Sequence, residues 1–279
     1  MGKKIIPPVI LSVFSGLLVI LCSLQSNATW HYNTDIILNN SQLNNSQYAL
    51  FSSQEVNKNK LETNQISLLP ESLPTPEVHQ LPTKLREWKD INNSGDYFSQ
   101  IQPVKSGYLV WSQFPIKFYI DTPNLNSNNA AKLWQEIVSN AVNEWGVYLP
   151  LEIVNQANIA DIQILRKSPP LQFSRDGKPS RVRSAETSFS LYIDKSKDTN
   201  ILRHRFNILL SPSQSGKYLL AAARHEIGHA LGIWGHSPLE SDALYFSQVR
   251  NPPDISARDV NTLKLVYQQP TSLGWLIEK

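Results

Sequence analysis

Hydrophobic and polar positions divide the chain into three stretches of different rhythm. Residues 9–21 are almost wholly apolar and come after Lys3 and Lys4. From Thr29 to about Ser106 the apolar positions are isolated and keep no period. Asn, Gln and Ser dominate 39–65, and Pro70, Pro74, Pro76 and Pro82 break 69–85 into extended pieces. Such a stretch buries too little apolar surface to offset its chain entropy, which predicts a low-complexity linker or pro-region over 29–105, with a short helix around 84–90. From Trp111 onward order returns. Ile116–Ile120 alternates and is β-rich, and it ends at the turn residues Asp121, Thr122 and Pro123. Residues 129–148 carry Leu133, Trp134, Ile137, Val138, Ala141, Val142 and Trp145, the stripe of an amphipathic helix, which Gly146 and Pro150 end. Strands are expected at 151–154, 161–165, 188–193 and 206–210, with a Pro/Gly/Arg-rich loop at 168–183. A strong helix is expected at 218–230. Strand, long helix, several strands, then helices predict an α/β domain over 106–279, with helices packed on a mixed twisted sheet.

Composition narrows the class. The chain has 279 residues, 41% of them hydrophobic and seven of them Trp, enough for a sizeable core. Lys plus Arg number 26 against 23 Asp plus Glu, a balance that excludes nucleic acid as the expected partner. The single cysteine, Cys22, excludes a disulfide scaffold, a Cys-ligated zinc site and a cysteine protease. Residues 1–28 read as a signal peptide, with Ser26, Asn27 and Ala28 at the cleavage positions. They also read as an uncleaved anchor, because 5–24 approaches the ~20 residues of a membrane span, and Cys22 leaves a lipoprotein as a third reading. All three place the rest of the chain outside the cytoplasm, secreted or in the periplasm and cell envelope. Contact with a membrane is then expected only through an uncleaved N-terminal segment.

The candidate chemistry lies in the second half. Of six histidines, three (His225, His229 and His236) fall within twelve residues. A helix stacks positions i and i+4 on one face, so His225 and His229 can grip one metal ion, with Glu226 beside that face able to reach a bound water. Gly232 can end the helix and reverse the chain. His236 on the returning segment could then complete a three-imidazole site with a fourth position open for water. His204, between Arg203 and Arg205, is the fallback ligand, though its setting favours a surface or structural role.

Residues 225–236, HEIGHALGIWGH, resemble the metzincin zinc-peptidase signature, the matrixin branch above all. The likeness runs over 111–268 and takes in the strand around Phe118, the first long helix and the strand entry at Ala160, Asp161 and Ile162. It also takes in a closing helix with Ser256 as N-cap and Asp259 three residues on. This resemblance implies a zinc-dependent endopeptidase in which His225, His229 and His236 bind Zn2+ and Glu226 is the general base. It further implies a peptide or protein substrate extended along a sheet edge, with 188–193 the candidate edge.

Two departures stand out. The family's third histidine comes ten positions after the first; here that position is Gly235 and His236 is at eleven, an extra residue that Gly235 can absorb. The methionine beneath the family's zinc site falls on Leu244, an apolar residue of similar size. These departures motivate a competing reading, a non-catalytic zinc- or peptide-binding envelope protein derived from a peptidase, against which Glu226 stands. Tyr245 is read as a packed aromatic or a hydrogen-bonding group near the site, and Trp234 as a core cover or a pocket wall. Asp254 and Asp259 lack an oxygen-rich loop of calcium-binding spacing.

Overall fold

The alternation at 116–120 becomes one face of a sheet. Ile116, Phe118 and Ile120 are buried, while Lys117 and Tyr119 on the opposite face are half-buried. The computed structural model describes residues 73–122, 129–171, 183–195 and 199–277, so the signal or anchor over 1–28 and most of the 168–183 loop lie outside the described residues. The elements run α1 (Thr83–Glu87), β1 (Ile116–Ile120), α2 (Asn129–Trp145), β2 (Leu151–Val154), β3 (Ile162–Leu165), β4 (Ala185–Asp194), β5 (Ile201–Leu210), α3 (Gly216–Ala230) and α4 (Ala257–Tyr267). The sheet order is β2-β1-β3-β5-β4, with every neighbouring pair parallel except β4–β5. This is a mixed α/β fold with one antiparallel edge strand, β4.

The same alternation continues across the sheet. Ile162 and Ile164 of β3, Phe189 and Leu191 of β4, and Phe206, Ile208 and Leu210 of β5 are buried. Helix α2 supplies the crossover that the parallel β1–β2 pair requires. It buries Trp134, Val138, Ala141, Val142 and Trp145. Leu133, expected in that stripe, is exposed because it lies about 100° round the helix from Trp134. Strands β4 and β5 are longer than expected and pair from Ala185–Leu210 to Asp194–Ile201. Arg203 and Arg205, which disguise the early part of β5 as a polar loop, sit on its half-buried outer face.

Helices α2 and α3 are joined by an interhelical ion pair. The Arg224 side chain is almost fully buried; its Nε and Nη2 reach the Glu144 carboxylate at 2.6 and 2.9 Å, and Asp254 lies 3.1 Å from Nη2. Trp145 Nε1 donates to the Arg224 carbonyl at 2.9 Å.

The folded part begins earlier than 106, which corrects the linker reading for residues 73–105. Leu85, Tyr97 and Ile101 from that stretch are buried in the core. Glu77 and Thr271 exchange backbone hydrogen bonds of 3.1 and 3.0 Å, and Ser272 Oγ donates to the Pro74 carbonyl at 2.6 Å. His79 stacks on Trp275 with ring centroids 4.3 Å apart. A few well-spaced apolar anchors hold the segment although its average composition is polar.

Midway along α3, Gly228 is held between two side chains. An ideal Cβ there would stand 2.7 Å from Leu244 Cδ2 and 3.0 Å from Trp145 Cζ2. Gly228→Ala is therefore expected to lower unfolding free energy by about 1–3 kcal/mol through overpacking, despite alanine's better helix propensity. Chemical denaturation of the two chains checks this.

Candidate metal centre

The centre is built by one helix and the chain reversal after it. Helix α3 sets His225 and His229 one turn apart, with ring centroids 4.6 Å apart. The helix then closes as a Schellman motif: Ile233 N–H donates to the Gly228 carbonyl at 3.1 Å and Gly232 N–H to the His229 carbonyl at 3.0 Å. Gly232 has φ 126° and lies so close to the Leu109 carbonyl that a Cβ would be 2.7 Å from that oxygen. Two tight turns come next, Trp234 N–H to the Gly232 carbonyl at 2.8 Å and Gly235 N–H to the Ile233 carbonyl at 3.0 Å. They return His236 to the helix. Its ring lies 5.3 Å from that of His225 and 4.8 Å from that of His229. The nitrogen atoms offered by the three histidines all lie within 4.8 Å of one another, a group that can hold a metal ion.

The protonation of the rings suits that use. His225 Nδ1 meets the Ala243 carbonyl at 2.9 Å and His229 Nδ1 the Ile233 carbonyl at 2.7 Å. A carbonyl oxygen only accepts, so both rings carry their proton on Nδ1 and present an Nε2 lone pair. The two Nε2 atoms face each other at 3.0 Å. Lone pairs at that separation repel unless positive charge lies between them. Burial holds His229 well below the ordinary imidazole pKa, with His225 and His236 adding to the shift; burial, with His225 the lesser cause, takes His236 down to about 3. Burial thus favours the neutral form of His229 and His236.

Glu226 stands beside this group on α3 and is buried, with its side chain turned to β4. Thr187 Oγ1 donates to Glu226 Oε2 at 2.6 Å. Burial raises the carboxyl pKa, against the lowering effects of His225 and the Thr187 hydrogen bond.

A turn at 242–245 lies beneath the helix. Leu244, completely buried, takes the place where the family resemblance expects methionine. Two buried carboxylates hold the turn. Asp259 accepts from the backbone N–H groups of Ala243 (2.9 Å), Leu244 (3.3 Å) and Ser256 (2.8 Å), and from the Tyr97 hydroxyl at 2.6 Å. Asp242 accepts from Ser237 Oγ, from Ser256 Oγ at 2.8 Å and from Arg258 Nε at 3.0 Å. The Ser256–Asp259 pair is also the capping box expected at the start of α4.

His204 does not join the group. It is 3% exposed on the core face of β5, with its ring 4.0 Å from that of Trp111, and burial lowers its pKa to about 3. It lies inside the core and not on the surface. Trp234 is buried edge-on against Phe189 at 5.2 Å, which makes it a core cover. Tyr245 packs on Phe246 at 4.4 Å. Asp254 pairs with Arg224. Thr187, Arg224 and the hold of Asp259 on the turn are not evident from the sequence pattern. Arg224 carries a visible signal, a lone cation closing the run Leu219–Ala223 ahead of the histidines, whereas Thr187 carries none, being an ordinary residue of an edge strand.

No family model and no curated protein matches this sequence. Among the described residues no helix is long and apolar enough to cross a membrane.

His225→Ala, His229→Ala and His236→Ala should each weaken binding of a divalent cation by at least ~100-fold, whereas His204→Ala leaves it unchanged; calorimetric titration of the full chain reads both. Leu244→Met should cost under about 1.5 kcal/mol, against ~2–5 for Leu244→Ala, by thermal or chemical unfolding.

Proposed function

We propose that the chain is a zinc-dependent endopeptidase of metzincin, matrixin-like type, acting outside the cytoplasm on peptide or protein substrates. The observation that carries the reading is the convergence of three imidazoles beside one buried carboxylate on the same helix. Neutral imidazole is a preferred zinc ligand. Donors on one tetrahedral zinc stand about 3.3 Å apart, close to the 3.0 Å between the Nε2 atoms of His225 and His229. His225, His229 and His236 would hold the ion. When bound, it supplies a Lewis acid that brings the pKa of a water toward ~7 and polarises a carbonyl.

The remaining work falls to the chain's own groups. Glu226 accepts the proton of the attacking water and returns it to the leaving amine. Its buried setting, with the carboxyl raised above the ordinary range, favours a group that takes up and releases a proton over a permanent anion. A site that only stores a cation has no use for this carboxylate. Strand β4 ends the sheet order, and its outer edge offers backbone groups with which an extended substrate can pair. The apolar run near the amino terminus supports the extracytoplasmic setting.

The test is hydrolysis of a generic protein such as casein by the full chain, with metal analysis alongside. Activity should vanish with a chelator and return with zinc. Glu226→Gln should keep the metal and lose ~100-fold or more in turnover. Chelator-insensitive hydrolysis, or a Glu226→Gln variant at the wild-type rate, overturns the reading.

A further inference from the structure

Thr187 is a polar residue on an apolar face. On a strand, positions i, i+2 and i+4 share one side, so Thr187 looks the same way as Phe189 and Leu191, which are buried in the core. Packing alone would favour another apolar side chain there. Thr187 instead meets Glu226: Oγ1 lies 2.6 Å from Oε2 and 3.1 Å from the Glu226 carbonyl oxygen. A hydroxyl has one proton to give, and both of these partners only accept. The shorter contact falls in the range of an O–H bond to an ionised carboxylate, which assigns the proton to Oε2. Among the described residues, no side chain other than Thr187 makes a hydrogen bond to the Glu226 carboxylate.

We propose that Thr187 is the positioning residue of the centre, fixing which oxygen of Glu226 exchanges protons. With Oε2 tied to β4, Oε1 is the atom that accepts a proton from water and later passes it to the amine nitrogen. The same tie keeps the carboxylate from swinging onto a cation held by the neighbouring His225 and His229. Because Thr187 belongs to the edge strand proposed to pair with the substrate backbone, proton acceptor and substrate are registered to one element. A shift of β4 therefore moves both together. The inference rests on the peptidase reading and adds to it the residue that orients its base.

The experiment uses the full chain, loaded with zinc for kinetics and with cobalt(II) for visible absorption. Thr187→Val removes the hydroxyl at nearly constant shape, and Thr187→Ser keeps it. For Thr187→Val we expect kcat to fall about ten- to hundredfold with KM within about twofold, the loss typical of a reacting group displaced by a fraction of an ångström to an ångström. Thr187→Ser should stay within about threefold of the parent in both constants. In the cobalt form, Thr187→Val should alter the visible spectrum as the released carboxylate reaches the ion, and adding Glu226→Gln should restore it. Wild-type kcat in Thr187→Val, or equal losses in the Val and Ser variants, overturns the proposal. Should valine disturb the strand, Thr187→Ser against Thr187→Ala poses the same question, since those two differ only by the hydroxyl. If the parent chain hydrolyses no peptide, the peptidase reading fails by itself. The cobalt spectra then decide on Thr187 alone: a difference between parent and Thr187→Val supports the tie, and identical spectra overturn it.

Discussion

A neutral imidazole presents a lone pair at one nitrogen only, and which nitrogen that is depends on what the other one meets. In this protein the choice is made by two backbone carbonyls. The Ala243 carbonyl takes the Nδ1 proton of His225 and the Ile233 carbonyl that of His229, and both Nε2 atoms consequently point at one spot. Neither carbonyl is on the histidine helix. One belongs to the turn at 242–245 and the other to the segment just past Gly232, so the centre exists only if both segments are held still. Much of the surrounding structure answers that requirement.

The means of holding them is a set of satisfied buried groups. Asp259 is fully buried and would be costly there if unpaired, yet three backbone N–H groups and a tyrosine hydroxyl surround it. Buried ionic groups add little net stability. Fully hydrogen-bonded ones do fix a geometry, because each partner loses its bond if the others move. The route from Tyr97 through Asp259 to the Ala243–Leu244 backbone, and from the Ala243 carbonyl to His225, is such an arrangement. Close packing adds to it from the other side. Gly228 lets Trp145 and Leu244 approach the helix more closely than any side chain would permit, so the glycine between His225 and His229 is a packing residue and not only a helix position.

Short-range pattern is legible in the sequence. The alternation of Ile116–Ile120, the stripe of α2 apart from Leu133, the i, i+4 histidines and the Ser256–Asp259 capping box all express periods of two to four residues, and each appears where the pattern puts it. Long-range partners leave no such mark. That Thr187 lies against Glu226, Arg224 against Glu144, or Tyr97 against Asp259 depends on how strands and helices are brought together, and residues 39, 80 and 162 positions apart carry no common period. The early part of β5 is hidden because Arg203 and Arg205 look like loop charges until the half-buried outer face of the sheet is known. The segment from 73 to 105 reads as a linker because its composition is averaged over many polar residues, while its attachment relies on a few apolar side chains and backbone bonds.

That segment also braces the loop that carries the third histidine. The tight turns over 232–235 bring the chain back sooner than an open loop would, and they leave Gly235 against the Gln100 carbonyl, where any Cβ would collide. Ile101 lies alongside, and Gln102 N–H donates to the Trp234 carbonyl at 3.3 Å. The loop is therefore closed by its own turns and braced by chain that precedes the sheet. Residues 100–102 thus support from outside the turn that brings His236 back to His225 and His229. The three histidines, the buried Leu244 and the N-terminal brace consequently form one packing problem, and a change of length in the loop would have to be answered by a change in the segment that holds it.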